Sequence, residues 1–131
     1  MSVPVVKLGV LGEVLKLMAL GAWEATGFLV GSLEPSPVRV FGLYRVDNRL
    51  GSPLEFEGDP WQTVQAHVSA GNYGIQVVAL FHTHTSCPPL PSSLDVKGMK
   101  LWPIIWVIAC PGEIRAWRLD ESGGLQEVFV E

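Results

Sequence analysis

The sequence predicts a mixed α/β domain built around a single sheet. Three observations carry this reading. Helical and strand patterns are interspersed along the chain, and two apolar runs, IQVVALF and PIIWVIAC, are nearly continuous, as strands covered on both faces are. The last two strand patterns flank a Gly-containing turn as a hairpin. The 131 residues, 48% hydrophobic and 17% charged, have the length of one domain, residues 1–131, and enough apolar surface to form a packed core.

In chain order, SVPVVKLGV alternates as a first strand, and GEVLKLMALGAWE places Val14, Leu15, Met18 and Ala22 near helical spacing, predicting a helix that ends near Trp23. GFLVGSL reads as a short strand. The turn Glu34-Pro35-Ser36-Pro37 separates it from a strand over 38–46, in which Val38, Val40, Gly42 and Tyr44 alternate with Arg39, Phe41, Leu43 and Arg45. DNRLGSP is rich in turn formers, and Asp59-Pro60 gives an N-cap with proline at the first position of a helix running towards Gly71. The run from Ile75 to Phe81 suits a central strand, and a short helix fits Ser92 to Lys100, stopped before Pro103. PIIWVIAC is a second buried strand, and EIRAWRL and LQEVFVE flank the turn 120–124 as an edge hairpin.

Charge and composition exclude several classes of function. A net charge of -4 without any Lys/Arg cluster argues against nucleic acid as the main partner. No apolar run approaches the roughly 20 residues that span a bilayer, so no membrane partner is expected. The N-terminus lacks a basic segment followed by an apolar stretch and a cleavage site, which predicts a cytoplasmic location. Cys87 and Cys110 are too few for a disulfide framework and suit a reduced compartment; whether they pair is left open by the sequence.

The chemistry concentrates in FHTHTSCPPLPSSLD, Phe81 to Asp95. Residues i and i+2 of a strand share a face, so His82 and His84 converge at the strand end; on a helix the same spacing spreads them by about 200°. Neutral imidazoles suit Zn(II), a carboxylate can supply a third ligand, and Asp95 is the nearest one. Pro88, Pro89 and Pro91 stiffen the returning loop. Ser92 followed by Asp95 is also a helix N-cap pattern, which by itself explains both residues. Upstream, Glu24 in EATGFLVG is either a water-activating base or an exposed glutamate at a helix end.

These residues resemble the JAMM (MPN-plus, or JAB domain) metallopeptidases, whose signature is an E-x-x-G-x-L-x-G-like segment followed by H-[S/T]-H-x7-S-x-x-D. Glu24 to Gly31 and His82 to Asp95 fill every position, and the resemblance covers nearly the whole chain. It implies an MPN-like fold, a curved mixed β-sheet packed with helices and similar to cytidine deaminases. It further implies one Zn(II) per chain held by His82, His84 and Asp95, with Glu24 as general base and Ser92 as donor to the oxyanion. The implied substrate is the peptide or isopeptide bond after the Gly-Gly tail of a ubiquitin-like or sulfur-carrier protein, the tail adding as a strand to a sheet edge.

The short interval between Asp95 and Pro103 points to a compact prokaryotic-type member, and Thr85 stands where many members carry proline. The alternative within the same resemblance is a non-catalytic MPN-type scaffold that keeps a metal for stability or forms a homodimer through its apolar surface. Cys87 reads as a small buried hydrophobe rather than the nucleophile of a cysteine hydrolase, and Cys110 as core. His67 reads as a helix-surface residue, and Trp61, Trp102, Trp106 and Trp117 as core or rim aromatics.

Overall fold

The structure, a computed structural model, describes residues 4–21, 24–46 and 60–131. Its elements are β1 (Val5–Lys7), α1 (Val10–Met18), β2 (Thr26–Ser32), β3 (Val38–Val46), α2 (Pro60–Asn72), β4 (Gln76–Thr83), α3 (Ser93–Leu101), β5 (Ile105–Cys110), β6 (Glu113–Leu119) and β7 (Leu125–Val130). Trp23 itself, the 47–53 turn and the Asp59 cap fall outside the described residues. No helix among the described residues is long and apolar enough to cross a membrane.

The order of strands is β1-β3-β2-β4-β5-β6-β7, and β7 returns to β1. The sheet is mixed as expected. β4 and β5 run parallel, with α3 as their crossover, and β1 is parallel to both neighbours. The remaining pairs are antiparallel. The C-terminal hairpin is therefore not an edge: Val5 and Val6 pair with Phe129 and Val130, which satisfies backbone groups that an edge strand would leave open.

The sheet separates two cores. One holds Leu15 and Ala19 around α1 with Leu29, Phe81, Val107 and Val128. The other packs Ala66 of α2 and Met99 of α3 on Phe28, Leu80, Trp106 and Trp117. Simple alternation along β3 does not hold. Val30 pairs with Gly42 while Gly31 pairs with Val40, so Phe41 is an extra residue, 61% exposed. That bulge reverses the phase, and Leu43 joins Val38 and Val40 in the α1 core while Tyr44 faces the other one. α1 is also shorter than predicted, because the chain tightens after Met18 into three-residue turns, Leu20 N–H to Leu17 O and Gly21 N–H to Met18 O.

Two glycines set close approaches that position the site. A Cβ at Gly27 would strike the Tyr44 carbonyl oxygen and the Phe81 ring, so its absence lets β2 lie tightly between β3 and β4. A Cβ at Gly98 would run into the Trp106 ring, so α3 rests directly on β5 there. The Trp106 ring is itself held by Nε1–H donating to Trp102 O at 3.0 Å. Gly98→Ala is expected to destabilise the protein by about 1–3 kcal/mol through overpacking. Urea denaturation reads this directly, and an unchanged midpoint would show that α3 can shift without cost.

Candidate active site

His82 is the penultimate residue of β4, and His84 lies just beyond the strand, its N–H donating to Ala109 O at 2.7 Å. The strand period holds both rings on one face, with centroids 4.9 Å apart and planes nearly perpendicular. Register then brings in the upstream carboxylate. Thr26 is opposite His82, and Thr83 N–H bonds Ala25 O at 2.8 Å, extending the ladder by one pair. Paired residues share a face, so Glu24 projects beside the histidines; Glu24 Oε2 lies 3.2 Å from His82 Nε2. One ligand atom from each of Glu24, His82 and His84 falls within 4.8 Å of the others.

Asp95 arrives from α3. Ser92 is the N-cap, and a capping box closes in both directions: Asp95 N–H donates to Ser92 Oγ at 3.1 Å and Ser92 N–H to Asp95 Oδ2 at 2.9 Å. The buried Asp95 carboxylate also meets His82 Nδ1 through Oδ1 at 3.0 Å and His84 Nε2 through Oδ2 at 3.1 Å. The cap pattern and the site are thus one arrangement. Ser92 reaches the cluster through Asp95, and Glu24 is not an exposed helix-end residue, its side chain being only 13% exposed.

The electrostatics follow from burial against pairing. Burial disfavours charge on His82, but hydrogen bonds to Asp95 and Glu24 overcome it, and the imidazole is pushed up to about 9. Burial likewise opposes the Asp95 carboxylate, yet the bonds from His82 and His84 hold it well below the usual carboxylate range. Pairing with the two carboxylates thus favours the protonated form of the His82 imidazole. Two imidazoles and two carboxylates, all at least partly buried and turned towards one another, are a donor set that fits Zn(II) or a similar N/O-preferring ion. His82 uses Nδ1 towards Asp95 and Nε2 towards Glu24, and it is Glu24, not Asp95, whose ligand atom falls in the close group with the two histidines.

The loop over 84–92 is fastened more firmly than prolines alone predict. Cys87 is bonded to Cys110, with Cα atoms 5.3 Å apart, and Trp117 Nε1–H donates to Pro89 O at 3.1 Å. This corrects the reading of Cys87 as a buried free thiol: it is exposed and disulfide-linked, and a cysteine-hydrolase role goes with that correction. The parallel β4–β5 register, Thr83 opposite Ala109, brings the cysteines together, and nothing local in the sequence reports it. Trp106 and Trp117 are core residues and Trp102 is half-buried; His67 is exposed on α2 with its ring against Phe28.

Residues 16–120 match the family of prokaryotic homologs of the JAB domain. The chain belongs to this family. It is 40% identical over 121 residues to the desampylase of Pyrococcus furiosus, an alignment covering 92% of this chain and 84% of that protein. A probable TtuB-protein conjugate cleaving protease of Thermus thermophilus is 32% identical over 80 residues, covering 60% of this chain and 51% of the other. Among solved structures, a protein of Desulfitobacterium hafniense superposes with a TM-score of 0.80 at 23% identity, covering 97% of this chain and 91% of that one. A JAB1/MPN domain protein of Archaeoglobus fulgidus superposes with a TM-score of 0.58 at 18% identity, covering 95% and 96%. The expected JAB/MPN fold is therefore present, and the chain is a hydrolase of the JAMM protease type.

Two expectations follow for this JAB domain. The folded His82 pKa of about 9 lies above its ordinary 6.5, so its pairing contributes fully below pH 6.5 and is lost as pH rises through 9. Chelator-treated protein should therefore lose thermal stability between pH 6.5 and 9. A flat calorimetric profile would contradict the pairing. Reducing the Cys87–Cys110 bond, which spans a sequence separation of 23, should cost about 3 kcal/mol in chemical denaturation.

Proposed function

We propose that this chain is a zinc-dependent peptidase that hydrolyses the peptide or isopeptide bond after the Gly-Gly tail of a ubiquitin-like or sulfur-carrier protein. The observation that carries the reading is the convergence of Glu24, His82, His84 and Asp95 from the segment leading into β2, the end of β4 and the first turn of α3 at one end of the sheet. The names of the two relatives, a desampylase and a protease of TtuB-protein conjugates, support the substrate class.

In this reading His82, His84 and Asp95 would hold the ion, and Glu24 would serve as the base rather than as a ligand. When bound, the ion would supply Lewis acidity and would lower the pKa of an attacking water towards about 7. Glu24 Oε2, on the histidine face, accepts the proton from that water and returns it to the leaving amine nitrogen. Ser92 Oγ accepts the Asp95 N–H, which leaves its own O–H to donate to the developing oxyanion. The fastened 84–92 loop keeps these groups from rearranging during the reaction, the general condition for electrostatic stabilisation to be effective.

The tail binds as an added strand. β1 pairs with β3 only at Val38 and Arg39, so from Val40 to Val46 the outer edge of β3 has no strand partner among the described residues. That edge ends beside Thr26, two residues from Glu24. We place the reaction in the cytoplasm. The Cys87–Cys110 disulfide departs from the reduced cysteines expected of that compartment, where structural disulfides are rare outside hyperthermophiles.

The two carboxylates should separate cleanly. Glu24→Gln should keep about one zinc per chain by elemental analysis while kcat on a Gly-Gly-extended modifier falls by about 100-fold or more. Asp95→Asn should lose the metal itself, as should chelation, with zinc restoring only the parent. If Glu24→Gln sheds the metal and Asp95→Asn retains it, the roles of base and ligand are the reverse of those assigned.

A further inference from the structure

We propose that Thr83, the residue between the two histidines, is the positioning residue for Glu24. This rests on the reading of Glu24 as general base. Thr83 points away from the histidine face and is 1% exposed. Its Oγ1 accepts the Ala25 N–H at 2.7 Å, while its own N–H donates to Ala25 O at 2.8 Å. In an ordinary antiparallel pair the Ala25 N–H would go to the Thr83 carbonyl; here the hydroxyl takes it.

The consequence lies in which bond is fixed. The Ala25 N–H belongs to the peptide plane that joins Glu24 to Ala25, so anchoring it fixes ψ of Glu24 and, with it, the direction in which the Glu24 side chain leaves the backbone. β2 begins only at Thr26, so Glu24 lies ahead of the strand, and this bond holds the peptide that follows it. A second hydroxyl works on the opposite face. Thr26 Oγ1–H donates to Phe81 O at 3.1 Å, so the Thr26–His82 pair is bracketed by two side-chain bonds that cross between the same strands.

The arrangement makes the H-T-H stretch bifunctional. His82 and His84 face the site, and the alternating residue between them bonds, on the opposite face, the neighbouring backbone that aims the base. Valine has the shape of threonine without the oxygen. At position 83 it would leave the Ala25 N–H buried without a partner, and the cheapest remedy is rotation of the Glu24–Ala25 peptide towards water. A displacement of about 1 Å of a reacting group costs on the order of 100-fold in rate.

The test compares Thr83→Val and Thr83→Ser in the zinc-loaded enzyme. T83V should lower kcat by about 100-fold with KM and zinc content unchanged, and T83S, which keeps the hydroxyl, should restore most of the rate. In T83V, the amide exchange protection of Ala25 should fall while that of the β4–β5 ladder stays. Placed on E24Q, T83V should cost no further rate, because Thr83 acts only through Glu24. Full kcat in T83V, an equal loss on the E24Q background, or loss of zinc would each overturn the proposal. Should T83V not fold, T83A carries the same comparison. An active E24Q would instead overturn the reading of Glu24, whatever Thr83 does.

Discussion

The antiparallel register of β2 on β4, with Thr26 opposite His82, is the constraint on which the site depends. A one-residue slip would turn Glu24 to the α1 face and present Ala25 to the histidines, since side chains alternate with a strict period of two. Several features hold the register. Gly27 permits the close approach of three strands, Thr26 and Thr83 cross-link the pair with hydroxyls, and Leu29 and Phe81 lock the α1 face in the core. On the opposite face, the end of the same strands is thereby committed to Glu24, His82 and His84.

A carboxylate as buried as Asp95 is costly to hold without partners, and here every bond it makes serves two purposes. Ser92 N–H stabilises its charge while starting α3, and the imidazoles neutralise it while facing the reaction. Helix start and site assembly are thus coupled: α3 cannot form its capping box without delivering Asp95 to the histidines. Gly98 against Trp106 fixes how close that helix lies to β5, and the disulfide with the Trp117–Pro89 bond fixes the loop leading into it. The cluster is preorganised by packing that lies mostly outside it.

The sheet also reconciles a small core with a polar site. Closure through three residues of β1 leaves both hairpin strands paired, and the bulge at Phe41 changes the phase of β3 so that both faces stay apolar. Each face then has its own helices, α1 on one and α2 with α3 on the other, and the polar groups are confined to one end of the strands. Crevices beyond strand ends are where α/β sheets generally place their chemistry.

Local pattern was enough for much of this. Apolar runs marked β4 and β5 as covered strands, the Pro60 start marked α2, and the i, i+2 spacing of His82 and His84 with the Ser92–Asp95 cap marked most of the site, because each rests on neighbours a few residues apart. Long-range pairing was not legible. Glu24 stands 58 residues before His82, and its place beside it follows from strand register; the Cys87–Cys110 bond follows from β5 lying next to β4, and the closure by β1 from the return of the last strand. Likewise the shortened α1 and the Phe41 bulge answer to partners across the fold. The sequence by itself determined which side chains had the chemistry, through periods of two and 3.6 residues that are intrinsic to strand and helix. Only the tertiary structure decided which of them meet, because register, bulges and closure minimise the free energy of the whole sheet rather than of any one segment.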